Sequence, residues 1–246
     1  ETIALQSADG TYSASIPVEN PVLWTAETPA LYTIHVVQSD ASGNEQMAFS
    51  TKHGIRKIEI KNSLVYINNK RVLFKGVNRH DSDPLTGRTV SVESMEKDVV
   101  MMKQNNINTI RPSHYPNDVK MFAMFDYYGL YACAEADLED HANQSISAMD
   151  SWIPAFTDRI ERLVQTYRNN ASVAMWSLGN ESGAGKNFKD CYQVARNLDP
   201  SRPVHYEGTR IDKDYGGKLS GSEKDEMAAV SAKPQTTRKH LLGILT

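Results

Sequence analysis

Acidic, amide and imidazole side chains cluster directly after four short apolar stretches of the sequence. The apolar stretches have the composition of strands, and the strands of parallel α/β folds carry catalytic groups at their carboxyl ends, on one rim. We therefore expect the four polar runs to meet around one pocket. They are Asn78-Arg79-His80-Asp81, Arg111-Pro112-Ser113-His114-Tyr115, Glu135-Ala136-Asp137-Leu138-Glu139-Asp140-His141 and Asn180-Glu181.

Among these residues, Glu181 indicates the most specific chemistry. It follows the apolar run 173–178 after Gly179 and Asn180. A carboxylic acid in a water-poor pocket stays protonated near neutral pH and can protonate a leaving oxygen. That is the role of the acid in a glycosidase, which also needs a second carboxylate. The alternative is an acidic residue that is merely favoured by the dipole at the start of the next helix.

The other candidates carry weaker signals when each is taken alone. His80 or His114 by itself is more commonly a structural histidine than a ligand. Glu139 and His141 are two residues apart, so in an extended segment they project to the same side and could share a cation; a solvated surface pair is the alternative. Two other functions therefore stay open: a zinc-dependent barrel hydrolase built on these four side chains, and a non-catalytic sugar-binding module.

Apolar strands and amphipathic helices alternate through the part of the chain that carries these groups. This pattern indicates an α/β fold with a covered parallel sheet. No Gly-x-Gly-x-x-Gly follows the first strand, which disfavours a dinucleotide-binding sheet and favours an incomplete (β/α)8 TIM barrel. Strands are predicted at 73–77, 107–111, 130–134, 173–178 and 204–206, and helices around 92–102, 121–128, 156–167 and 188–195.

The two ends of the chain differ from this central part. Residues 1–57 contain short β-rich runs between turn clusters, which is typical of a β-sandwich, but only about three or four strands fit where a sandwich uses about seven. Residues 210–246 are charged, glycine-rich and aperiodic, so we expect an irregular tail there. The barrel part then spans residues 58–209.

Composition excludes some classes of partner. The 246 residues are 40% hydrophobic and carry a formal charge of −3, without a basic run, so neither nucleic acid nor an anionic membrane is an expected partner. No apolar run approaches the length of a membrane span, and we expect a soluble protein whose compartment, cytoplasm or periplasm, stays undetermined. Cys133 and Cys191 are expected to be free, packed thiols.

Six sequence motifs resemble those of the β-galactosidases of glycoside hydrolase family 2. They occur in the family's order between about residues 20 and 208, and they imply a partial immunoglobulin-like β-sandwich at 1–57 followed by the first part of a TIM barrel. The motifs are Pro21-Val22-Leu23-Trp24-Thr25-Ala26-Glu27, Gly76-Val77-Asn78-Arg79-His80, Ser113-His114-Tyr115-Pro116-Asn117, Tyr128-Gly129-Leu130-Tyr131, Trp176-Ser177-Leu178-Gly179-Asn180-Glu181-Ser182-Gly183 and Asp199-Pro200-Ser201-Arg202-Pro203-Val204-His205-Tyr206-Glu207-Gly208.

The resemblance also implies a reaction and a role for each matched residue. The reaction is the hydrolysis of terminal β-D-galactosides with retention, through a covalent galactosyl-enzyme. Glu181 matches the acid/base catalyst, and Asn180 matches the residue that hydrogen-bonds the sugar 2-hydroxyl. His80 and His114 match residues that contact the galactosyl hydroxyls.

Magnesium is the cofactor that the resemblance implies. Glu139, His141 and Glu181 match the family's magnesium ligands, and a hard cation beside the acid would hold its orientation. Asp140 replaces a more usual Thr, which puts the substrate preference in doubt. β-Glucuronidase is the alternative within the family, although its acid motif typically continues with Pro where this chain has Ser182.

The family's nucleophilic glutamate has no match in the chain. The resemblance places it beyond the strand that ends near Tyr206, and nothing from Thr209 to Thr246 resembles it; Glu207 aligns with a non-nucleophilic position. We therefore expect the chain to be an internal part of a larger enzyme and to be inactive alone. An open sheet exposes an unpaired edge, so homo-oligomer formation through that edge is also expected.

Overall fold

A computed structural model of the chain describes residues 6–8 and 11–210. The predicted irregular tail at 210–246 therefore lies almost entirely outside the described residues. The first described elements are two antiparallel pairs, β1 (Gln6–Ala8) with β2 (Thr11–Ser13) and β3 (Tyr32–Ser39) with β4 (Glu45–His53). Nearly all side chains of β3 and β4 are exposed. A small antiparallel sheet follows, formed by β5 (Ile58–Lys61), β6 (Leu64–Ile67) and β7 (Lys70–Arg71).

A five-stranded parallel sheet forms the centre of the molecule. Its spatial order, β12-β11-β10-β9-β8, follows the chain without reversal, as in a barrel and unlike a doubly wound sheet. The strands are β8 (Gly76–Arg79), β9 (Thr109–Pro112), β10 (Tyr131–Glu135), β11 (Val173–Ser177) and β12 (Val204–His205). β8 and β12 are the edges of this sheet, and association through an edge stays a prediction.

The predicted start of the first parallel strand was wrong by three residues. The side chain of Asn108 accepts a hydrogen bond from the backbone N–H of Lys75 (2.7 Å) and donates one to the carbonyl of Leu73 (2.9 Å). These backbone groups are therefore bonded to a side chain just before β8 begins. At the other end, β8, β9 and β10 each run further than predicted, so Arg79, Pro112 and Glu135 belong to the strands themselves.

The four predicted helices are all present. They are α1 (Val92–Gln104), α2 (Val119–Tyr128), α3 (Ile153–Tyr167) and α4 (Asn187–Leu198). Gly129 ends α2 with φ +80°, and a Cβ there would lie 2.3 Å from the carbonyl oxygen of Ala26. Only glycine meets both conditions, the left-handed backbone and the close approach of the amino-terminal segment. None of the described helices is long and apolar enough to cross a membrane.

Two hydrophobic clusters cover the two faces of the sheet. One cluster joins the helices to Ala132 and Ala134, and the other joins Trp24 and the small sheet to Tyr131 and Cys133. Successive residues of a strand point to opposite faces, so Glu135 continues the row of Tyr131 and Cys133, away from the helices. Both cysteines are free and buried, as predicted, and burial raises the pKa of the Cys133 thiol to about 12.

Candidate active site

The turn after β11 is held against the loop after β10. Gly179 has φ +153°, and a Cβ there would lie 2.5 Å from the carbonyl oxygen of Leu138. The same oxygen accepts a hydrogen bond from the backbone N–H of Asn180 (2.9 Å). The hydroxyl of Ser182 donates to this carbonyl and accepts from the N–H of Asp140. The candidate residues that follow the two strands are therefore joined through their backbones.

Glu181 lies in this turn in a left-handed conformation, with φ +44°. Its backbone N–H donates to Glu207 (2.8 Å), and its carbonyl accepts from Gln144 (2.6 Å). Its carboxylate Oε2 is 3.1 Å from Nδ1 of His141, and the two side chains are 50% and 62% exposed. The prediction that Glu181 lies in a water-poor environment is therefore wrong. The turn directs its carboxylate toward His141, which is itself exposed.

Asn180 is 5% exposed and its amide is held from both sides. Oδ1 accepts a hydrogen bond from Nη2 of Arg111 (2.9 Å), and Nδ2 donates to Oε1 of Glu139 (2.8 Å). A guanidinium only donates and a carboxylate only accepts, so this pair of neighbours fixes which end of the amide is oxygen.

A fully buried carboxylate, Glu135, stands at the centre of the site. Its Oε2 accepts from Nε of Arg111 (2.7 Å) and from the hydroxyl of Ser177 (2.6 Å), and its Oε1 lies 2.8 Å from Nδ1 of His114. Glu135 and Arg111 both lie in the predicted polar runs, but the sequence indicates no role for either residue. The signal that was missed is the alternation along β10, which turns a charged side chain into the interior beside Cys133.

His80 and His114 lie next to each other at the ends of β8 and β9. Their ring centroids are 5.4 Å apart and the rings are nearly perpendicular. Arg79, which is 7% exposed, supports this corner by hydrogen bonds to Asp81 (2.5 Å) and to Asp98 (2.9 Å).

The four polar runs therefore do meet, as the sequence predicts. Side-chain contacts lead from His80 through His114, Glu135, Arg111 and Asn180 to Glu139, and Glu181, in the turn after Asn180, contacts His141 in the loop after β10.

The three predicted magnesium ligands are not brought together. Glu139 is bonded to Asn180, whereas His141 contacts Glu181. The part of the chain that the structure describes contains no group of three His, Cys, Asp or Glu residues that could hold a metal ion. As placed, these side chains do not fit a magnesium site, and magnesium binding stays a prediction.

Two family models that match this chain describe the same family of proteins. Residues 58–241 match the family model described as glycosyl hydrolases family 2, TIM barrel domain, and residues 1–56 match the model described as glycosyl hydrolases family 2. The chain is 42% identical over 206 residues to a β-galactosidase of Pectobacterium atrosepticum, covering 81% of the chain, and 42% identical over 207 residues to one of Leuconostoc mesenteroides, covering 83%. It spans 20% of the length of each of these relatives.

Solved structures agree on the fold. The β-D-glucuronidase of Dictyoglomus thermophilum superposes with a TM-score of 0.69 at 25% identity, over 77% of this chain and 35% of that one. A β-glucuronidase of Ruminococcus gnavus, solved with D-glucuronic acid, gives 0.69 at 24% identity, over 82% and 36%. Because this second structure is only 24% identical to the chain, it supports a common fold and nothing about function.

Proposed function

This chain belongs to glycosyl hydrolase family 2, and we propose that it supplies the acid/base side of the active site in a retaining β-galactosidase. The observation that carries the proposal is the arrangement at the end of β11, where Asn180 is anchored from both sides and Glu181 projects beside His141 into accessible space. The two relatives at 42% identity are β-galactosidases, which supports galactosides as the substrates.

Glu181 is the proton donor and acceptor in the proposed mechanism. In the first step its proton passes to the glycosidic oxygen while the bond from that oxygen to the anomeric carbon breaks and a second carboxylate, the nucleophile, bonds to that carbon. In the second step its carboxylate removes a proton from water as the water oxygen attacks the anomeric carbon and the bond from that carbon to the nucleophile breaks. His141 contacts only one of its carboxylate oxygens, Oε2, which leaves Oε1 for this proton. The exposure of Glu181 suits both steps, because a leaving group and then a water molecule must reach it.

The nucleophile is assigned to no residue of this chain. The covalent galactosyl-enzyme needs a second carboxylate on the opposite face of the sugar, and the sequence resemblance places that glutamate further along the chain. Glu207 accepts a hydrogen bond from the backbone of Glu181, which is a structural role. The chain alone is therefore expected to show no turnover.

The buried end of the site binds the sugar in this proposal. One hydrogen of the Asn180 amide is committed to Glu139, and the other is available to the sugar 2-hydroxyl, a bond that strengthens in the transition state. His80 and His114, side by side at the neighbouring strand ends, contact the remaining galactosyl hydroxyls. The zinc-dependent alternative lacks support, because the described residues hold no group of three ligands.

The test is a substrate comparison in the complete gene product. We expect kcat/KM for 4-nitrophenyl β-D-galactoside to exceed that for the β-D-glucuronide by at least about a hundredfold, since a pocket discriminates strongly by hydrogen-bonding groups. His114→Ala should weaken galactoside turnover, whereas Glu161→Gln, on the exposed face of α3, should not. Preference for the glucuronide would contradict the proposed substrate, and no turnover of either sugar would contradict the proposed function.

A further inference from the structure

Glu135 is a buried anion whose oxygens receive three donors. It is 0% exposed, and the charge of Arg111, itself 2% exposed, lies 2.7 Å away. An isolated buried carboxylate is strongly unfavourable, so the guanidinium stabilises its ionised form. As an ionised carboxylate, Glu135 only accepts hydrogen bonds.

This restriction determines the tautomer of His114. Nδ1 of His114 is 2.8 Å from Oε1 of Glu135, so Nδ1 must carry the hydrogen. In the neutral imidazole the other nitrogen, Nε2, then has a free lone pair. Nε2 is on the side of the ring away from Glu135, where it can accept a hydrogen bond from a ligand hydroxyl.

The same carboxylate acts on Asn180 through Arg111. Oε2 of Glu135 binds Nε of Arg111, and Nη2 of that guanidinium binds Oδ1 of Asn180 (2.9 Å). The amide oxygen is thereby turned inward and Nδ2 outward, toward Glu139 and the site. The outward end of the Asn180 amide is therefore a hydrogen-bond donor.

We propose that Glu135 is a positioning residue that gives the two sugar-binding side chains opposite hydrogen-bond polarity, an acceptor at His114 and a donor at Asn180. The sugar as ligand rests on the proposed function above. The polarity itself does not, because it follows from bonds within the protein.

Replacement of Glu135 by glutamine should reverse the polarity at His114. The single amide oxygen of glutamine is needed by the two donors on the Oε2 side, Arg111 and the hydroxyl of Ser177. The NH2 group must then face His114, where it donates to Nδ1. His114 can accept that bond only as the Nε2–H tautomer, which presents a donor to the sugar.

The experiment is two-bond ¹H–¹⁵N NMR of the chain with ¹⁵N-labelled histidine, at a pH where the imidazoles are neutral. The His114 signal is assigned by its absence in His114→Gln. We expect the Nδ1–H tautomer for the native chain and the Nε2–H tautomer for Glu135→Gln, with no change in Glu161→Gln, an exposed helix glutamate. An Nε2–H tautomer in the native chain would overturn the proposal, and this reading is decisive even where Glu135→Gln does not fold.

A second readout uses fluorinated substrates in the complete gene product. Fluorine accepts hydrogen bonds weakly and never donates, so replacing the hydroxyl that contacts His114 should reduce kcat/KM at least tenfold in the native enzyme. The substrates are a panel of 3- and 4-deoxyfluoro galactosides. For the member that lacks the hydroxyl in contact with His114, we expect the reduction in kcat/KM to be severalfold smaller in Glu135→Gln than in the native enzyme. An unchanged factor for every member of the panel would contradict the role of Glu135. Failure of all galactosides combined with the Nδ1–H tautomer would instead contradict the proposed function and leave the polarity confirmed.

Discussion

Asn180 and Glu139 are joined by a hydrogen bond of 2.8 Å from the amide Nδ2 to the carboxylate Oε1. The bond gives Glu139 a role in holding the amide that is independent of a metal ion. It also connects the loop after β10 to the turn that carries Glu181.

Glu139→Ala should lower kcat/KM of the complete enzyme about tenfold, because the loss of one hydrogen bond to a charged group costs about 1.5 kcal/mol. Glu139→Gln should retain more activity, since its amide oxygen still accepts from Asn180. Steady-state kinetics with and without added Mg²⁺ checks this explanation. Full recovery of Glu139→Ala by excess Mg²⁺ would instead favour the predicted metal-ligand role.

Asp199→Asn should destabilise the fold in a pH-dependent way. Burial acts to raise the pKa of Asp199, but the Arg202 guanidinium and hydrogen bonds from Ser201 outweigh it and hold the pKa below its usual value. A lowered carboxyl pKa contributes stability above about pH 4, and this contribution is lost as the pH falls through the folded-state pKa. Asp199 also accepts from the indole N–H of Trp176 (3.0 Å).

The expected loss for Asp199→Asn is about 3 kcal/mol at pH 7, because Arg202 keeps a buried charge without its partner. The difference from the native chain should shrink toward pH 3. Urea unfolding at several pH values measures it. The control is Asp158→Asn, which removes an exposed i,i+4 pair with Arg162 and should change stability little. If Asp199→Asn lowers the free energy of unfolding equally at pH 3 and pH 7, the ionised Asp199 carboxylate is not the source of the lost stability.

Asp140→Asn should stabilise the chain. Among the described residues, neither carboxylate oxygen of Asp140 has a hydrogen-bond partner, although both atoms are buried. Removing the charge should therefore raise the free energy of unfolding by about 1 kcal/mol at pH 7. Asp137→Asn, at an exposed neighbouring position, is the matched control. Destabilisation by Asp140→Asn in urea unfolding would show that the carboxylate has a stabilising partner.

Gly179→Ala should be more damaging than an ordinary glycine substitution. Its Cβ would meet the carbonyl of Leu138 at 2.5 Å, whereas a Cβ at Gly87, also at positive φ, would meet nothing within 4 Å. We expect a loss of about 2 to 4 kcal/mol for Gly179→Ala and about 1 kcal/mol for Gly87→Ala. Similar losses of stability for the two substitutions in thermal unfolding would contradict the conclusion that this close approach positions Asn180 and Glu181.

The sequence was sufficient for the helices and for the meeting of the strand ends. Helical periodicity places Phe156 and Ile160 on the buried face of α3, and the carboxyl-end rule for parallel strands brings His80, His114 and Asn180 together. Both signals depend on local spacing or on a general property of the fold.

What the sequence did not reveal depends on where individual side chains point. Glu135 reads as a loop acid, but the structure extends β10 by one residue and turns it inward to Arg111. The exposure of Glu181 follows from a left-handed residue that no composition pattern marks. The bond from Asn180 to Glu139 is likewise not indicated by the two-residue spacing of Glu139 and His141.

The most direct test of the central claim, that Glu181 is the acid/base catalyst, is azide rescue of Glu181→Gln in the complete gene product. A substrate with a good leaving group, 2,4-dinitrophenyl β-D-galactoside, needs no acid in the first step, so the galactosyl-enzyme should accumulate and azide should release it. We expect azide to raise turnover at least tenfold and to yield β-galactosyl azide, identified by NMR. Native-level hydrolysis by Glu181→Gln without azide, or the absence of any galactosyl azide, would contradict the assignment.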